Sequence, residues 1–231
     1  MNVILFGATG MVGQGVLREC LLDPNVECIL SVGRSSAGID HPKFREIVRR
    51  DLMRYSDIEP QLVGFDACYF CLGVSSAWMR PEEYERITYG ITLAAAETLA
   101  RLNPQMTFVY VSGAGTDSSE QGRSAWARVK GRTENALLRL PFKAAYMFRP
   151  GFIEPKAGIR SKTAFYRLFY MLIRPVTPLL RLAFPNFILN TEQLGRAMIA
   201  VAQGAESKRI LESRDILVLS RITQPTNKRP L

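Results

Sequence analysis

The sequence predicts an α/β fold built on a doubly wound parallel sheet. Short apolar segments alternate with helical patterns over residues 1–153, as expected when helices connect parallel strands. The segment Phe65–Leu72 is nearly all apolar, which is typical of a strand buried on both faces of such a sheet. The first apolar segment, Val3–Phe6, leads into a glycine-rich turn that opens a helical pattern. These observations favour a nucleotide-binding type of α/β domain.

The remaining elements follow in alternating order, and prolines mark several of their ends. Pro81 suits the first turn of a long helix, and Pro104 and Pro141 follow the predicted ends of two helices. Strands are predicted at residues 27–32, 44–48, 65–72, 107–111 and 144–148, and helices at residues 12–22, 81–102 and 123–139.

The order of elements changes after the sixth strand. Residues 1–153 are expected to form a nucleotide-binding domain, with residues 154–231 as a small C-terminal lobe integrated into the same domain. Residues 155–190 are rich in proline, aromatic and basic residues and contain no Asp or Glu. This composition is interpreted as a lobe on the substrate side.

Two further elements are predicted near the C-terminus. A helix is expected over Thr191–Gln203, with Thr191 as its N-terminal cap. A last short strand is expected over Ile216–Leu219, because four apolar residues follow one another there.

Length and composition are those of one globular domain, or of one domain with a small appendage. The chain has 231 residues, of which 47% are hydrophobic, and its mean hydropathy is +0.01. Four cysteines do not indicate a disulfide scaffold. No basic leader precedes the first strand, and no apolar run reaches the roughly 18 residues of a membrane helix. We therefore expect a reduced, cytoplasmic protein that is not an integral membrane protein.

The formal net charge of +9 is compatible with several kinds of partner. The basic residues are spread along the chain without a recognised nucleic-acid motif, so no nucleic-acid partner is predicted. The charge is interpreted instead as a site for an anionic cofactor together with a solvated basic surface. His41 is the only histidine, so neither a metal site nor a Ser-His-Asp triad is expected.

The glycine-rich turn carries the main functional signal. Gly7 allows a sharp turn off the strand, Gly10 lets backbone N–H groups approach a pyrophosphate, and Gly13 lets the helix pack close to the strand. The helix N-terminus adds unpaired N–H donors and a partial positive charge. An ordinary glycine-rich turn is the alternative explanation. The predicted cofactor-binding residues of this loop are Gly7, Thr9, Gly10, Met11, Val12 and Gly13.

Several motifs resemble those of extended and atypical short-chain dehydrogenase/reductases, which have a Rossmann fold. These are the glycine loop, a serine at the end of the fifth strand (Ser112), a lysine in the next helix (Lys130) and the turn Phe148–Gly151. Residues 209–216 are also similar to the C-terminal part of Tat-interacting-protein-like oxidoreductases. An NAD-dependent epimerase/dehydratase branch is equally compatible with these motifs.

The resemblance implies roles for particular residues. Ser112 and Lys130 become candidate catalytic residues, and Lys130 also contacts the nicotinamide ribose. The turn at Pro150, Gly151 and Phe152 lies beside the nicotinamide. Asp51 and Leu52 follow the third strand, where the family contacts the adenine. Cys71, Leu72 and Gly73 pass beside the cofactor at the switch point of the sheet.

One position departs from the family pattern. Four residues before Lys130, where the family carries a tyrosine as its general acid or base, this chain has Trp126. An indole N–H donates hydrogen bonds but does not release its proton near neutral pH. Residues 126 and 130 are one helical turn apart and are expected to share a face. The wall of the site is therefore expected to persist without its proton donor, which Ser112, Thr116, a tyrosine of the lobe or water would have to replace.

The end of the second strand favours NADP over NAD. An acidic residue there would accept hydrogen bonds from the ribose 2′-OH, whereas an arginine suits a 2′-phosphate. The sequence has Arg34 followed by Ser35 and Ser36, which are expected to add hydrogen-bond donors for the phosphate, with no acid before Asp40. The alternative is that Arg34 is simply a solvated loop arginine.

Two other patterns are given structural explanations. Cys68 and Cys71 are three apart on a strand and should point to opposite faces, so neither a disulfide nor a metal site is expected. Four arginines recur every seven residues and form a basic stripe: Arg160, Arg167, Arg174 and Arg181. On one continuous helix this stripe would suit an anionic membrane or an acidic partner, but Pro175 and Pro178 interrupt any such helix. Tyr166 and Tyr170 lie in the same segment and are the candidate tyrosines of the lobe.

Two functions remain open from the sequence. The first is an NADP-dependent oxidoreductase, or an epimerase-like enzyme, that acts on a small carbonyl compound. The second is a binding module that holds NADP(H) without turnover and acts as a redox sensor or regulatory module. The first needs a small-molecule substrate, and the second a regulatory protein partner; a homodimer is compatible with both.

Overall fold

The computed structural model describes residues 1–77, 79–155 and 187–222. Within them lies a parallel sheet of seven strands in the order β3-β2-β1-β4-β5-β6-β9. Its strands are β1 Asn2–Phe6, β2 Cys28–Gly33, β3 Phe44–Val48, β4 Ala67–Phe70, β5 Thr107–Val111, β6 Ala144–Arg149 and β9 Ile210–Glu212. The strands β7 Phe152–Glu154 and β8 Ile188–Asn190 pair in parallel as a separate small sheet.

Helices connect these strands. They are α1 Met11–Leu22, α2 Pro81–Glu85, α3 Thr92–Leu102, α4 Ala125–Leu138, α5 Thr191–Ala202 and α6 Ser213–Leu219. The long helix predicted at 81–102 has the expected extent, but Arg86–Ile91 forms a π-helical turn between α2 and α3. A π-turn widens the helix locally by one residue, which the apolar periodicity does not reveal.

Two apolar layers cover the two faces of the sheet. Val3 and Leu5 of β1 pack in the layer that contains α1 and α5, whereas Ile4 and Phe6 pack in the layer that contains α3. Side chains of a strand alternate between faces, so a strand with helices on both sides needs apolar residues throughout. The doubly wound parallel architecture predicted from the sequence is confirmed.

The strand order reverses at β1. Chain order runs from β1 outward through β2 to β3, and the next strand, β4, pairs with the other side of β1. The loops after β1 and β4 therefore leave the sheet on either side of one crevice at its carboxyl edge, which is the usual ligand position in sheets of this type.

The prediction of a last strand over Ile216–Leu219 is wrong. Ile216–Leu219 belongs to helix α6, and the edge strand is β9. A short apolar run does not distinguish strand from helix by itself, and here a capping box between Glu212 and Asp215 starts a helix just before it.

The cap of α5 also differs from the prediction. Asn190, not Thr191, is its N-terminal cap, because Asn190 Oδ1 accepts from the Gln193 N–H at 2.8 Å and Gln193 Oε1 accepts from the Asn190 N–H at 2.8 Å. Thr191 is instead buried against α1, where a Cβ at Gly15 would lie 2.4 Å from the Thr191 Cβ.

Most of the predicted lobe is outside the described residues. The stripe formed by Arg160, Arg167, Arg174 and Arg181, together with Tyr166 and Tyr170, falls there. In the described part of the chain, no helix has the length and apolar character needed to span a membrane.

Candidate functional site

The glycine loop after β1 has a shape that only glycine permits at two positions. Gly7 has a φ of +82°, and a Cβ there would lie 2.7 Å from the backbone N of Leu72, in the loop after β4. At Gly13, a Cβ would lie 2.0 Å from the carbonyl O of Gly7. The geometry therefore agrees with the roles predicted for these two glycines, a sharp turn and close helix–strand packing.

Gly10 differs from the other two glycines. It has an ordinary extended conformation with a φ of −80°, and a Cβ there would meet only the Gly7 carbonyl O, at 3.3 Å. Its N–H donates to that same oxygen at 2.9 Å, and the Gln14 side chain donates to the carbonyl of Thr9 at 3.0 Å. Packing alone gives a weak reason for glycine at position 10.

Helix α1 starts directly after this loop with Met11 and Val12, which are partly exposed. Its first turn contains no acidic residue. A helix N-terminus next to a glycine turn presents backbone N–H donors and a partial positive charge, which suit a pyrophosphate.

The loop after β4 forms the other wall of the crevice. Cys71 and Leu72 are partly buried, and they approach Gly7. Gly73 is exposed, and no atom lies within 4 Å of an added Cβ. Cys68 and Cys71 belong to opposite apolar layers, as their spacing predicted, and burial raises the pKa of both thiols.

The loop after β2 carries the residues predicted to choose the cofactor. Arg34 and Ser35 are exposed there. The Ser36 hydroxyl donates to the Glu46 carboxylate, which also accepts from the Ala37 N–H at 2.9 Å. Ser36 is therefore engaged within the protein, contrary to the expectation that it supplies a further donor for a phosphate.

The residues after β3 have different environments. Asp51 is exposed, and its Oδ1 accepts from the Met53 N–H at 2.8 Å. Leu52 is 2% exposed and packs in the layer with α3. The side chain of Leu52 is thus part of the core, and only its backbone is left to line a cofactor site.

Trp126 and Lys130 of α4 face the loop that follows β5. An added Cβ at Gly115 would lie 3.5 Å from Cη2 of Trp126, and one at Gly113 would lie 3.8 Å from Nζ of Lys130. The ammonium of Lys130 also donates to the carbonyl O of Ser112. The prediction that residues 126 and 130 share a face of one helix is confirmed.

The hydroxyls of Ser112 and Thr116, the candidate proton donors expected from the sequence, are both engaged. Ser112 is 5% exposed, and its Oγ lies 2.5 Å from Oε1 of Glu134 and 3.1 Å from the carbonyl O of Phe148. The Thr116 hydroxyl donates to the Gly113 carbonyl at 2.7 Å. A hydroxyl has one proton, so in this arrangement Ser112 directs it into the protein.

Lys130 has a perturbed titration. Burial lowers the pKa of its ammonium to about 8, because desolvation disfavours the charged form, and the nearby Glu134 carboxylate partly opposes this. At neutral pH the side chain is therefore still mostly protonated, and it can donate hydrogen bonds from the N–H groups that Ser112 does not use.

The turn after β6 is held against the same loop. The carbonyl of Pro150 accepts from the Ala114 N–H at 2.8 Å, and the Gly151 N–H donates to Ser213 Oγ at 2.8 Å. A Cβ at Gly151 would lie 2.5 Å from the ring of Phe187, so glycine is required for this packing. Phe152 begins β7 directly afterwards.

Sequence reasoning did not single out Glu134 and Gly131. Glu134 is fully buried and binds both Ser112 and Arg149. A Cβ at Gly131 would lie 1.7 Å from the Asp117 carbonyl O, so this glycine lets the loop after β5 lie directly on α4. Gly131 and Glu134 follow Lys130 by one and four positions in the sequence. This closeness to a candidate catalytic residue was the signal that could have identified them.

These features fit a nicotinamide dinucleotide. The glycine turn, an acid-free helix N-terminus and a lysine beside a strand end occur at the carboxyl edge of one parallel sheet. The described residues contain no group of three or more His, Cys, Asp and Glu side chains that could hold a metal ion.

Comparison with known proteins identifies the family. Residues 3–127 match the NAD dependent epimerase/dehydratase family. The chain belongs to this family. Because the family binds a nicotinamide cofactor, membership agrees with the conclusion that the crevice fits a nicotinamide dinucleotide.

Curated relatives are similar over most of the chain. The match to protein FMP52, mitochondrial, of Meyerozyma guilliermondii is 26% identical and covers 87% of this chain and 85% of the relative. Protein FMP52-2, mitochondrial, of Scheffersomyces stipitis is 29% identical over 66% of each chain. Protein HTATIP2 of Rattus norvegicus is 25% identical over 65% of this chain and 62% of its own length. The last two matches thus span just under two thirds of those proteins.

Solved structures share the fold. An oxidoreductase of the short chain dehydrogenase/reductase family from Burkholderia thailandensis has a TM-score of 0.67 at 14% identity, covering 94% of this chain and 92% of its own. The enzyme WbmH of Bordetella bronchiseptica, in complex with NAD+, has a TM-score of 0.66 at 14% identity, covering 99% and 83%. Together with the family match, these confirm the resemblance to atypical short-chain dehydrogenase/reductases.

The expectation of a cytoplasmic protein is corrected by the same comparison. Several of the fungal relatives are named as mitochondrial proteins. The sequence-based expectation rested on the absence of a basic leader and on cysteine usage, and the names of these relatives overturn it.

Proposed function

We propose that this chain holds NADP(H) between the loops after β1 and β4 and uses it as an oxidoreductase on a small carbonyl compound. The observation that carries the proposal is the approach of these loops, since a Cβ at Gly7 would lie 2.7 Å from Leu72 N. Dinucleotides bind in this kind of crevice, where the strand order reverses. Membership of an NAD dependent family supports the same position.

Each part of the carboxyl edge has a role in this proposal. Backbone N–H groups at the start of α1 hold the pyrophosphate, the loop after β2 holds the adenosine phosphate, and the lysine of α4 holds the nicotinamide ribose. When bound, the cofactor supplies or accepts a hydride. The assigned residues are Gly10, Met11, Val12, Arg34, Ser35, Lys130 and the turn Pro150–Phe152.

The choice of NADP rests on Arg34. Its guanidinium is exposed at the end of β2, and a guanidinium binds phosphate by paired, charge-assisted hydrogen bonds. In the test, NADPH and NADH are titrated by fluorescence against the wild type, Arg34→Ala and the control Arg139→Ala. Arg139 is exposed at the far end of α4.

Arg34→Ala should weaken NADPH binding about tenfold or more, since a hydrogen bond to a charged group contributes about 1.5–3 kcal/mol. NADH binding should change little, and Arg139→Ala should leave both affinities unchanged. Equal losses for NADPH and NADH in Arg34→Ala would reject the assignment of Arg34.

The source of the proton is the open step of this chemistry. Trp126 occupies the tyrosine position, and an indole does not release a proton near neutral pH. A positioned proton donor typically contributes about 10²–10⁴ in rate. Slow turnover by the wild type is therefore expected, with the proton drawn from the remaining groups or from water.

A non-catalytic NADP(H)-binding sensor is the second candidate. It is favoured by one observation, that the hydroxyls of Ser112 and Thr116 are both engaged within the protein. Such a module would report the redox state of the cofactor to a regulatory partner.

One experiment separates these candidates. NADPH oxidation is followed by absorbance with aldehydes, ketones and quinones for the wild type, Trp126→Tyr and Trp126→Phe. The phenylalanine variant controls for the loss of the indole without adding a hydroxyl. Oxidation by the wild type would reject the sensor. Turnover confined to Trp126→Tyr would support the sensor, because only the added phenol then completes the site.

A further inference from the structure

The Glu134 carboxylate is the most enclosed charge near the proposed site. Its side chain is 0% exposed on α4, one helical turn after Lys130. Oε1 accepts from Ser112 Oγ at 2.5 Å, and the two carboxylate oxygens accept from Arg149 Nε at 3.1 and 3.2 Å. One carboxylate therefore ties α4 to the ends of β5 and β6.

Each of these partners leads directly into a segment assigned to the cofactor. The Ser112 carbonyl accepts from Lys130, and Arg149 immediately precedes the turn at Pro150 and Gly151. The carboxylate thus lies behind the nicotinamide end of the proposed site without being exposed to it.

Stability alone is a weak explanation for this ion pair. Replacing a buried ion pair by apolar residues of similar volume is often neutral or stabilising, whereas removing one partner is costly. The guanidinium of Arg149 also reaches Glu212 Oε1 at 3.5 Å and donates to Ser118 Oγ. A charged network joining three segments of a site is well suited to fixing their relative positions.

We propose that Glu134 is a positioning residue, which fixes the Ser112 hydroxyl, the Lys130-bearing turn of α4 and the strand end at Arg149 in one arrangement. The inference rests on the proposed cofactor site for its binding readout. It also reassigns Ser112 from a proton donor to a residue that takes part in this positioning.

The charges around Lys130 give a second readout. The Glu134 carboxylate raises the pKa of the Lys130 ammonium, against the larger lowering by burial. The other titratable groups packed near Glu134 are Arg149 on β6 and Tyr110 on β5, with Glu212 of β9 beyond Arg149. Removing the Glu134 charge should therefore lower the pKa of Lys130 further.

The test compares Glu134→Gln with the matched control Glu97→Gln, an exposed position on α3. NADPH affinity is measured by fluorescence, and the lysine ammonium pKa by NMR of labelled lysine, with the Lys130 signal assigned through Lys130→Arg. Glu134→Gln should weaken NADPH binding about tenfold, on the scale of one lost hydrogen bond to a charged group. The pKa of Lys130 should fall below about 8.

A folded Glu134→Gln variant with wild-type NADPH affinity and an unchanged Lys130 pKa would overturn the inference. If that variant does not fold, Ser112→Ala decides, because it removes only the hydroxyl that Glu134 holds. Ser112→Ala should weaken NADPH binding several-fold with the Lys130 pKa near its wild-type value, and wild-type affinity would refute the positioning role. If the wild type itself fails to bind NADPH, the proposed function fails, and the Lys130 pKa in Glu134→Gln decides the inference separately.

Discussion

Two alanine substitutions in the glycine loop should separate folding from cofactor binding. A Cβ at Gly13 would lie 2.0 Å from the Gly7 carbonyl O and 2.6 Å from the Gly7 carbonyl C. These are backbone atoms of a turn that is itself fixed by its approach to Leu72. At Gly10, by contrast, the nearest atom to an added Cβ would be the Gly7 carbonyl O, at 3.3 Å, and φ is an ordinary −80°.

The contact distances set the expected magnitudes. Gly13→Ala must displace α1 from β1, and overpacking of this kind costs about 1–3 kcal/mol or more. For a domain of this size, a loss of about 3 kcal/mol lowers the melting temperature by about 6–12 °C. Gly10→Ala should cost less than about 1 kcal/mol, because the helix cap loses only the small advantage of glycine over alanine.

The order of effects reverses for NADPH binding. In the proposed cofactor site, a methyl group at Gly10 would stand where the pyrophosphate approaches the backbone, so Gly10→Ala should weaken NADPH binding by at least about tenfold while keeping a nearly normal melting temperature. Gly90→Ala is the matched control, because the nearest atom to an added Cβ there would also lie at 3.3 Å, in the Met53 side chain, and Gly90 is not assigned to the cofactor. Thermal unfolding and fluorescence titration are measured on all variants. Wild-type affinity in Gly10→Ala, or wild-type stability in Gly13→Ala, would refute the reasoning.

Two further predictions concern groups whose pKa is perturbed by burial. Because the pKa of Lys130 is lowered to about 8 in the folded protein, this residue holds an extra proton in the unfolded chain between about pH 8 and 10, so the Lys130 contribution to the free energy of unfolding should rise with pH there. The buried thiols, whose pKa is raised, contribute a slope of the opposite sign, so the Lys130 contribution is measured as the difference between the wild type and Lys130→Met. Lys130→Met should lack this rise, and equal slopes in urea unfolding at several pH values would contradict it. Burial raises the pKa of the Cys68 and Cys71 thiols, so iodoacetamide at neutral pH should label both slowly in the native protein and rapidly in urea. Peptide mass spectrometry identifies the labelled cysteine, and rapid labelling of either thiol in the native protein would show that this thiol is exposed.

The elements that could be predicted from the sequence are those with local causes. β3 and β5 both have the predicted bounds. β3 is an edge strand that contains Arg45 and Glu46 and is mostly exposed, whereas β5 is a buried parallel strand, which is a short apolar run with clear ends. The run Ile216–Leu219 has the same local appearance but is helical, since the capping box of Glu212 and Asp215 decides its conformation. The cap of α5 was misjudged although its cause is also local, because Asn190 and Gln193 form a capping box and Thr191 is buried against α1.

The site was predictable where the backbone forms it and less so where side chains do. Gly7 and Gly13 are required by φ and by close approach, and both leave a direct trace in the sequence. The direction of the Ser112 hydroxyl has no such trace, since it depends on a carboxylate 22 positions later and on the register of β5 with β6. Sequence reasoning could name Ser112, but it could not tell that Glu134 would bind it.

Trp126 shows why binding and chemistry have to be tested separately in this chain. Its indole lies against the loop at Gly115, on the same face of α4 as Lys130, so it fills the space beside the strand end and supports the loop. A tyrosine ring at this position would be smaller but could cover much of the same surface while adding an ionisable hydroxyl. Under the proposed correspondence of Trp126 with the family's tyrosine, the chain would therefore keep a wall at this position but have no acid there. The glycine loop and Arg34 follow β1 and β2, whereas Trp126 lies beside the loop after β5. A cofactor site therefore gives no support by itself to turnover of a substrate. Turnover is tested only by the comparison of Trp126→Tyr with Trp126→Phe.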